Sequence, residues 1–144
     1  MTTANQAREI ILGRFITVWD ALDPAVPYTF DNEDYEPPNG AGDQSWCALM
    51  IRESIGGQET LGPVGARRYR RNGSANLEIF ALRNKGSQKA DSLVQTFRNN
   101  FEGVTLSASG NDVYFTDCQV QEVGIEGAWY RVNAFASFWF EETK

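Results

Sequence analysis

Histidine is absent from the 144 residues. That removes Ser-His-Asp and Cys-His nucleophilic catalysis, histidine-ligated zinc and a histidine pH switch. Cysteine is scarce. Cys47 and Cys118 stand far apart with no C-x-x-C spacing, so no metal motif can be built from them. Both lie in apolar-patterned segments and are expected as reduced, half-buried thiols; a disulfide requires their strands to be neighbours. No apolar run approaches the ~20 residues of a membrane span, and the N-terminus lacks the basic-then-apolar pattern of a secretion signal. The chain is therefore expected in the cytosol of the cell that makes it. Gly56-Gly57 and Gly62-Pro63 fit neither G-x-G-x-x-G after a strand nor a run ending in G-K-[ST], so no phosphate cradle is indicated.

What is present is ample material for a core. The length suits one domain, residues 1–144, and hydrophobic residues make up 42%, with nine Phe and four Trp, which excludes disorder. Net charge is −6 and the pI near 4.6, so a general affinity for nucleic-acid phosphates or anionic membranes is not expected.

Hydrophobic periodicity places two helices. Thr3 and Gln6 form a capping-box pattern, followed by Ile11, Phe15, Val18 and Leu22 at helical spacing, with Ile10 and Trp19 widening the stripe. Asp23-Pro24 ends this helix. After the Asn84-Lys85-Gly86 turn, Ser87 is the expected N-cap of a second helix whose stripe is Ala90, Leu93, Val94, Phe97 and Phe101. Strands are expected at Val26 to Phe30, Trp46 to Glu53, Val104 to Leu106, Val113 to Val123 and Trp129 to Phe140. On the last, Tyr130, Val132, Ala134, Ala136, Phe138 and Phe140 face one way and Trp129, Arg131, Asn133, Phe135, Ser137 and Trp139 the other.

The stretch from Ala66 to Leu82 organises the rest. Its second half alternates, with Ala75, Leu77, Ile79 and Ala81 on one side, as a half-buried strand does. Its first half carries Arg67, Arg68, Arg70 and Arg71, too many like charges for an unpaired core position. It is expected to leave the sheet as a projecting basic arm. Ser54 to Gly65 holds five Gly or Pro and is expected as the mobile tip of a long hairpin. The fold class is therefore α+β, in the order α-β-β-β-α-β-β-β. Two amphipathic helices pack on one face of a mainly antiparallel sheet, with a long projecting hairpin. Phe80, Phe135 and Trp139 fall on the opposite face, making it less polar than a solvated sheet, and an apolar patch of that kind marks a protein–protein surface.

Candidate sites are few. The acids Asp31, Glu33, Asp34 and Glu36 lack the order of a calcium loop and are most simply a solvated run. Nothing in the spacing of the nineteen acids singles out a catalytic pair. The R-R-Y-R-R run has three readings. It is a nucleic-acid patch, an inter-subunit surface meeting the acidic Asp31–Glu36 loop of a second copy, or a solvated basic hairpin that guards a sheet edge. The acidic charge of the whole chain favours the last two. No cofactor and no metal is indicated.

Several landmarks together carry a resemblance. The segment F-D-N-E-D-Y-E-P-P-N-G (Phe30, Asn32, Tyr35, Pro37, Pro38, Gly40) precedes Trp46 at the start of a strand. Leu61-Gly62 precedes Arg71-x-Gly73 and the Ile79-Phe80 strand. A helix with Ala90, Leu93 and Phe97 follows, and the chain closes with Gly127-x-Trp129-Tyr130-x-Val132. This pattern, over roughly residues 1–142, resembles the tail terminator family of long-tailed bacteriophages, of the lambda type. Two features depart from the family: the turn after the central strand is Leu82 to Gly86 rather than Pro-Gly-rich, and the Arg run is denser.

The resemblance implies a non-enzymatic virion protein. It would form a homo-hexameric ring on the last ring of the tail tube, stop tube growth and present a surface to the head–tail connector. Its partners would be itself, the tube protein and the connector, with genome DNA passing through the ring without specific recognition. Another neck or tail-completion protein is the nearest alternative; a DNA-binding module using the arm from Arg67 to Arg71 is a more distant one. Within a ring, Asp31, Glu33 and Asp34 of one copy are expected near Arg67, Arg68 or Arg70 of the next.

Overall fold

The computed structural model describes residues 1–37 and 44–144. Pro38 and Gly40 of the loop motif lie outside the described residues. The elements are α1 (Ala4–Asp20), β1 (Tyr28–Phe30), β2 (Trp46–Glu53), β3 (Gly57–Gln58), β4 (Arg68–Leu82), α2 (Gln88–Phe101), β5 (Thr105–Ala108), β6 (Asn111–Glu126) and β7 (Trp129–Thr143). The fold is α+β. One curled, mostly antiparallel sheet runs in the order β1-β2-β4-β7-β6-β5, with β3 paired to the start of β4.

Both helices lie against the same face. Ala7, Ile11, Phe15 and Trp19 form the buried stripe of α1; its N-terminus is closed by a Thr3/Gln6 capping box. Ala90, Leu93, Val94, Phe97 and Phe101 form that of α2. These meet the inward residues of the sheet: Cys47, Leu49 and Ile51 on β2, Ala75 to Ala81 in alternation on β4, Val113, Phe115 and Cys118 on β6, and Val132 to Phe140 in alternation on β7. Phe15 stacks on Trp19 at 4.3 Å and meets Tyr28 and Phe30 edge-on, which closes the β1 side. Phe97, Phe101, Phe115 and Phe138 form a chain of ring contacts on the other side.

Four expectations need correction. First, β1 pairs with β2 in parallel, Tyr28 opposite Cys47, where strands joined as a hairpin would have paired antiparallel. Second, Ser87 donates its hydroxyl to Asp91 Oδ2 at 3.1 Å and caps no backbone amide; its backbone is already helical, which turns the side chain away from the first N–H groups. Third, Arg67 to Arg71 is no separate arm. β4 begins at Arg68 and pairs with β7 over its whole length, from Arg68 opposite Thr143 to Leu82 opposite Trp129. The last strand runs on past Phe140 to supply that partner.

Fourth, the Ser54–Gly65 excursion is hydrogen-bonded to β4 as far as Thr60, so only its tip projects. Ser54 N–H donates to Asn72 O and Glu59 N–H to Arg68 O, each at 2.8 Å. Between Glu53 opposite Gly73 and Gly57 opposite Arg70 the register slips by one residue, so β2 and β3 are one strand interrupted by a bulge. A Cβ on Gly56 would lie 2.2 Å from the Arg70 carbonyl oxygen, so only glycine lets the strand return to β4 here.

Cys47 on β2 and Cys118 on β6 are separated by β4 and β7, a gap no disulfide spans. Burial pushes the Cys47 thiol up to about 12, so it acts as a small apolar side chain.

Candidate interaction surface

Because side chains alternate along a strand, the residues facing away from the helices form a second surface on the same sheet. On it, Trp46 stacks on Phe80 at 4.0 Å with planes 3° apart, Tyr35 packs on Trp46 at 5.2 Å, and Trp129 meets Trp46 edge-on at 6.3 Å. The Arg131 guanidinium lies 4.8 Å from the Phe80 ring centre, held by Glu126 at 2.8 Å and Glu78 at 3.6 Å. At the far end of the sheet Tyr114 stacks on Trp139 at 4.1 Å, and Arg70 lies over the same Trp139 ring, also at 4.1 Å. Half-buried Phe135 and Met50 sit between the two clusters, on β7 and β2.

Several polar atoms on this surface are shielded yet have no hydrogen-bond partner among the described residues: Trp46 Nε1, Asn76 Oδ1, Asn133 Oδ1, Arg70 Nε and Arg131 Nε. Covered from solvent, each such group costs free energy until a partner or water satisfies it. The expected placement of Phe80, Phe135 and Trp139 on one uncovered face matches this geometry. The clustering of Trp46 with Phe80 follows from register (Trp46 opposite Phe80), which no local pattern in the sequence encodes.

The arginine run does not form one patch. Strand alternation sends Arg68 and Arg70 to the uncovered face and Arg71 to the other, while Arg67 precedes the strand. Each has a partner within its own chain: Arg68 lies 3.9 Å from Glu141, Arg70 3.9 Å from Glu59, and Arg71 3.1 Å from Glu142, while Arg67 Nε donates to Gly62 O at 2.7 Å. The C-terminal Glu141-Glu142 pair is the element that sequence reasoning missed. Its signal was the continuation of the alternating strand past Phe140, which carries acids to the positions opposite Arg70 and Tyr69.

The acidic run is split as well. Asp31 accepts from Arg52 Nη1 at 2.8 Å, from the Ile51 N–H at 3.1 Å and from Arg8 Nη1 at 3.4 Å. Burial alone would raise its carboxyl. The Arg52 and Ile51 hydrogen bonds, with the Arg52 charge and Arg8, carry it below the usual carboxylate value instead. By accepting from Ile51 N–H, Asp31 also occupies the β2 edge where β1 has ended. Glu33 accepts from Thr29 Oγ1 and Phe30 N–H, both at 3.4 Å, and Asp34 is exposed. The structure thus brings neither Asp31, Glu33 nor Asp34 near Arg67, Arg68, Arg70 or Arg71 of the same chain.

Among the described residues no three Asp, Glu or Cys side chains group as metal ligands, and no helix is long and apolar enough to cross a membrane.

No family model matches the chain, and no curated protein matches it. Solved structures do. One, whose name carries no functional word, superposes with a TM-score of 0.68 at 16% identity, over 95% of this chain and 96% of its own. A likeness that covers both molecules almost end to end at so low an identity establishes a shared fold.

Proposed function

We propose that the protein is a structural component of a bacteriophage tail, a terminator whose copies assemble into a ring that caps the tail tube, stops its growth and receives the head connector. The observation that supports this most is the uncovered sheet face. Stacked aromatic rings at both of its ends, half-buried apart from the buried Trp46 and with no helix of the described residues over them, describe a surface to be closed by protein. Its work is fit between surfaces, with no bond made or broken. The landmarks Asn32, Tyr35, Pro37, Trp46 and Gly127-x-Trp129-Tyr130 that resemble the terminator family frame the same face: Tyr35, Trp46 and Trp129 form its cluster at one end.

The test is functional. Purified protein is added to polymerising tube protein from the same phage, and tube lengths are measured by electron microscopy. Arrested tubes bearing an added ring at one end are expected. Tubes that grow to the same lengths with and without the protein would overturn the reading.

A further inference from the structure

The distal half of β6 is an open sheet edge. β5 pairs with β6 only from Asn111 to Tyr114, after which Gly103 N–H donates to Thr116 O and Glu102 Oε2 accepts from Cys118 N–H. From Gln119 to Glu126 the strand is paired with β7 on one side, and among the described residues nothing pairs on the other. Edge strands that must stay free are usually blunted by lysine or proline. This one has neither; it has a bulge between Glu122 and Gly124, and it exposes Val120, Val123 (44%) and Ile125 (59%). Its charged residues are both acidic: Glu126 is held by Arg131 at 2.8 Å, and Glu122 has no ion pair among the described residues.

The opposite end of the molecule carries the complementary set. The hairpin formed by β3 and the start of β4 is held in shape by its own hydrogen bonds, yet exposes Ile55 (91%), Leu61 (96%) and Val64 (84%). Its own charged residues are Glu59 and the arginines from 67 to 71; Arg71 is drawn to Glu142 at 3.1 Å, while Arg68 and Arg70 stand 3.9 Å from Glu141 and Glu59 with exposed side chains. Three large aliphatic side chains at nearly full exposure, on a segment already folded, are not explained by packing within the chain.

We propose that the β3–β4 hairpin of one copy docks on the open Gln119–Glu126 edge of a second copy, aliphatic residues meeting aliphatic residues and the arginines facing Glu122. Asp31 is held tightly in its own chain, by Arg52 at 2.8 Å and Arg8 at 3.4 Å, whereas Arg68 and Arg70 lie 3.9 Å from their own glutamates and keep exposed side chains, so the hairpin's partner is the β6 edge with Glu122. Hairpin and edge lie at opposite ends of the sheet, so the contact is head-to-tail and closes into a ring when the rotation per copy allows it. Opposite charge fixes the register of such a contact, and aliphatic burial holds it. This rests on the ring reading above and says which surfaces make the ring.

The test is disulfide trapping under mild oxidation, with Leu61→Cys and Val123→Cys; both sites are exposed, and the native thiols are buried. The double variant is expected to give a covalent ladder beyond the dimer. A mixture of the two single variants is expected to give a dimer that neither gives alone. Dimers from Val123→Cys alone would mean edge-to-edge pairing and overturn the proposal. A double variant that stops at the dimer would overturn the head-to-tail geometry. Rings that assemble without any trapped species would overturn this contact and leave the terminator reading standing. A chain that stays monomeric at millimolar concentration would overturn both.

Discussion

The two faces of one sheet differ in every physical respect. On the helix-covered face β7 contributes Val132, Ala134, Ala136, Phe138 and Phe140, all buried, against Phe97 and Phe101 of α2. One residue out of step, the same strand contributes Arg131, Asn133, Phe135 and Trp139, half-buried and interleaved with charge. The first set has its packing partners within the chain. The second has rings stacked on rings, guanidinium groups over them, and polar atoms short of partners. The covered face therefore accounts for stability, and the uncovered one is the face proposed above for recognition.

Truncation should separate the faces most sharply. Phe97→Ala on the covered side is expected to lower unfolding free energy by about 3–5 kcal/mol in urea titrations. Phe135→Ala on the uncovered side is expected to cost only about 1 kcal/mol, since less surface leaves water there on folding. Equal losses would erase the distinction.

Next in size is Gly73, where β4 runs tightly against both β2 and the Phe138 ring of β7. A Cβ there would lie 2.6 Å from both the Arg52 carbonyl oxygen and the Phe138 ring. Gly73→Ala is expected to destabilise by about 1–3 kcal/mol, the range for overfilling a packed site. Thermal unfolding at the wild-type midpoint would show it, and an unchanged midpoint would contradict the close approach.

Gly56→Ala should act locally. The Arg70 carbonyl at 2.2 Å obstructs the new methyl, so the hairpin must lift from β4 while the core stays folded. Hydrogen exchange should show the Glu59 amide losing protection and the β4–β7 amides keeping theirs.

The smallest effect is electrostatic. Asp31 has a folded-state pKa below its unfolded value, so the unfolded chain binds more protons as the carboxyl titrates. Its contribution is present in full above the unfolded value of about 4 and is lost as pH falls through the lower folded value. Asp31→Asn should flatten that part of the stability–pH curve and leave the slope near neutrality unchanged. An unaltered acid limb would place the ion pair outside the folding equilibrium.

Much of this architecture was legible in the sequence, because periodicity reports which side of an element is buried. The stripes of α1 and α2, the alternation of Ala75 to Ala81 and the split of the last strand all follow from one-residue geometry. What was not legible depends on register and on distant partners. Four arginines in five residues look like a patch until the strand alternates them. The pairing of Arg68 with Glu141 and of Arg71 with Glu142 needs β7 to run antiparallel past Phe140. Likewise Asp31 looked like part of a solvated run, yet its partners come from α1 and β2. The glycines at 56 and 57 suggested mobility, whereas one of them is required for close backbone approach.

The claim on which everything else depends is that copies of this chain recognise one another. Native mass spectrometry, supported by sedimentation across a concentration series, tests it directly. The account predicts one closed species of several 16.1 kDa subunits, six on the family resemblance, appearing without nucleic acid and weakening in high salt. A single subunit at every concentration, or assembly only in the presence of DNA, would contradict it.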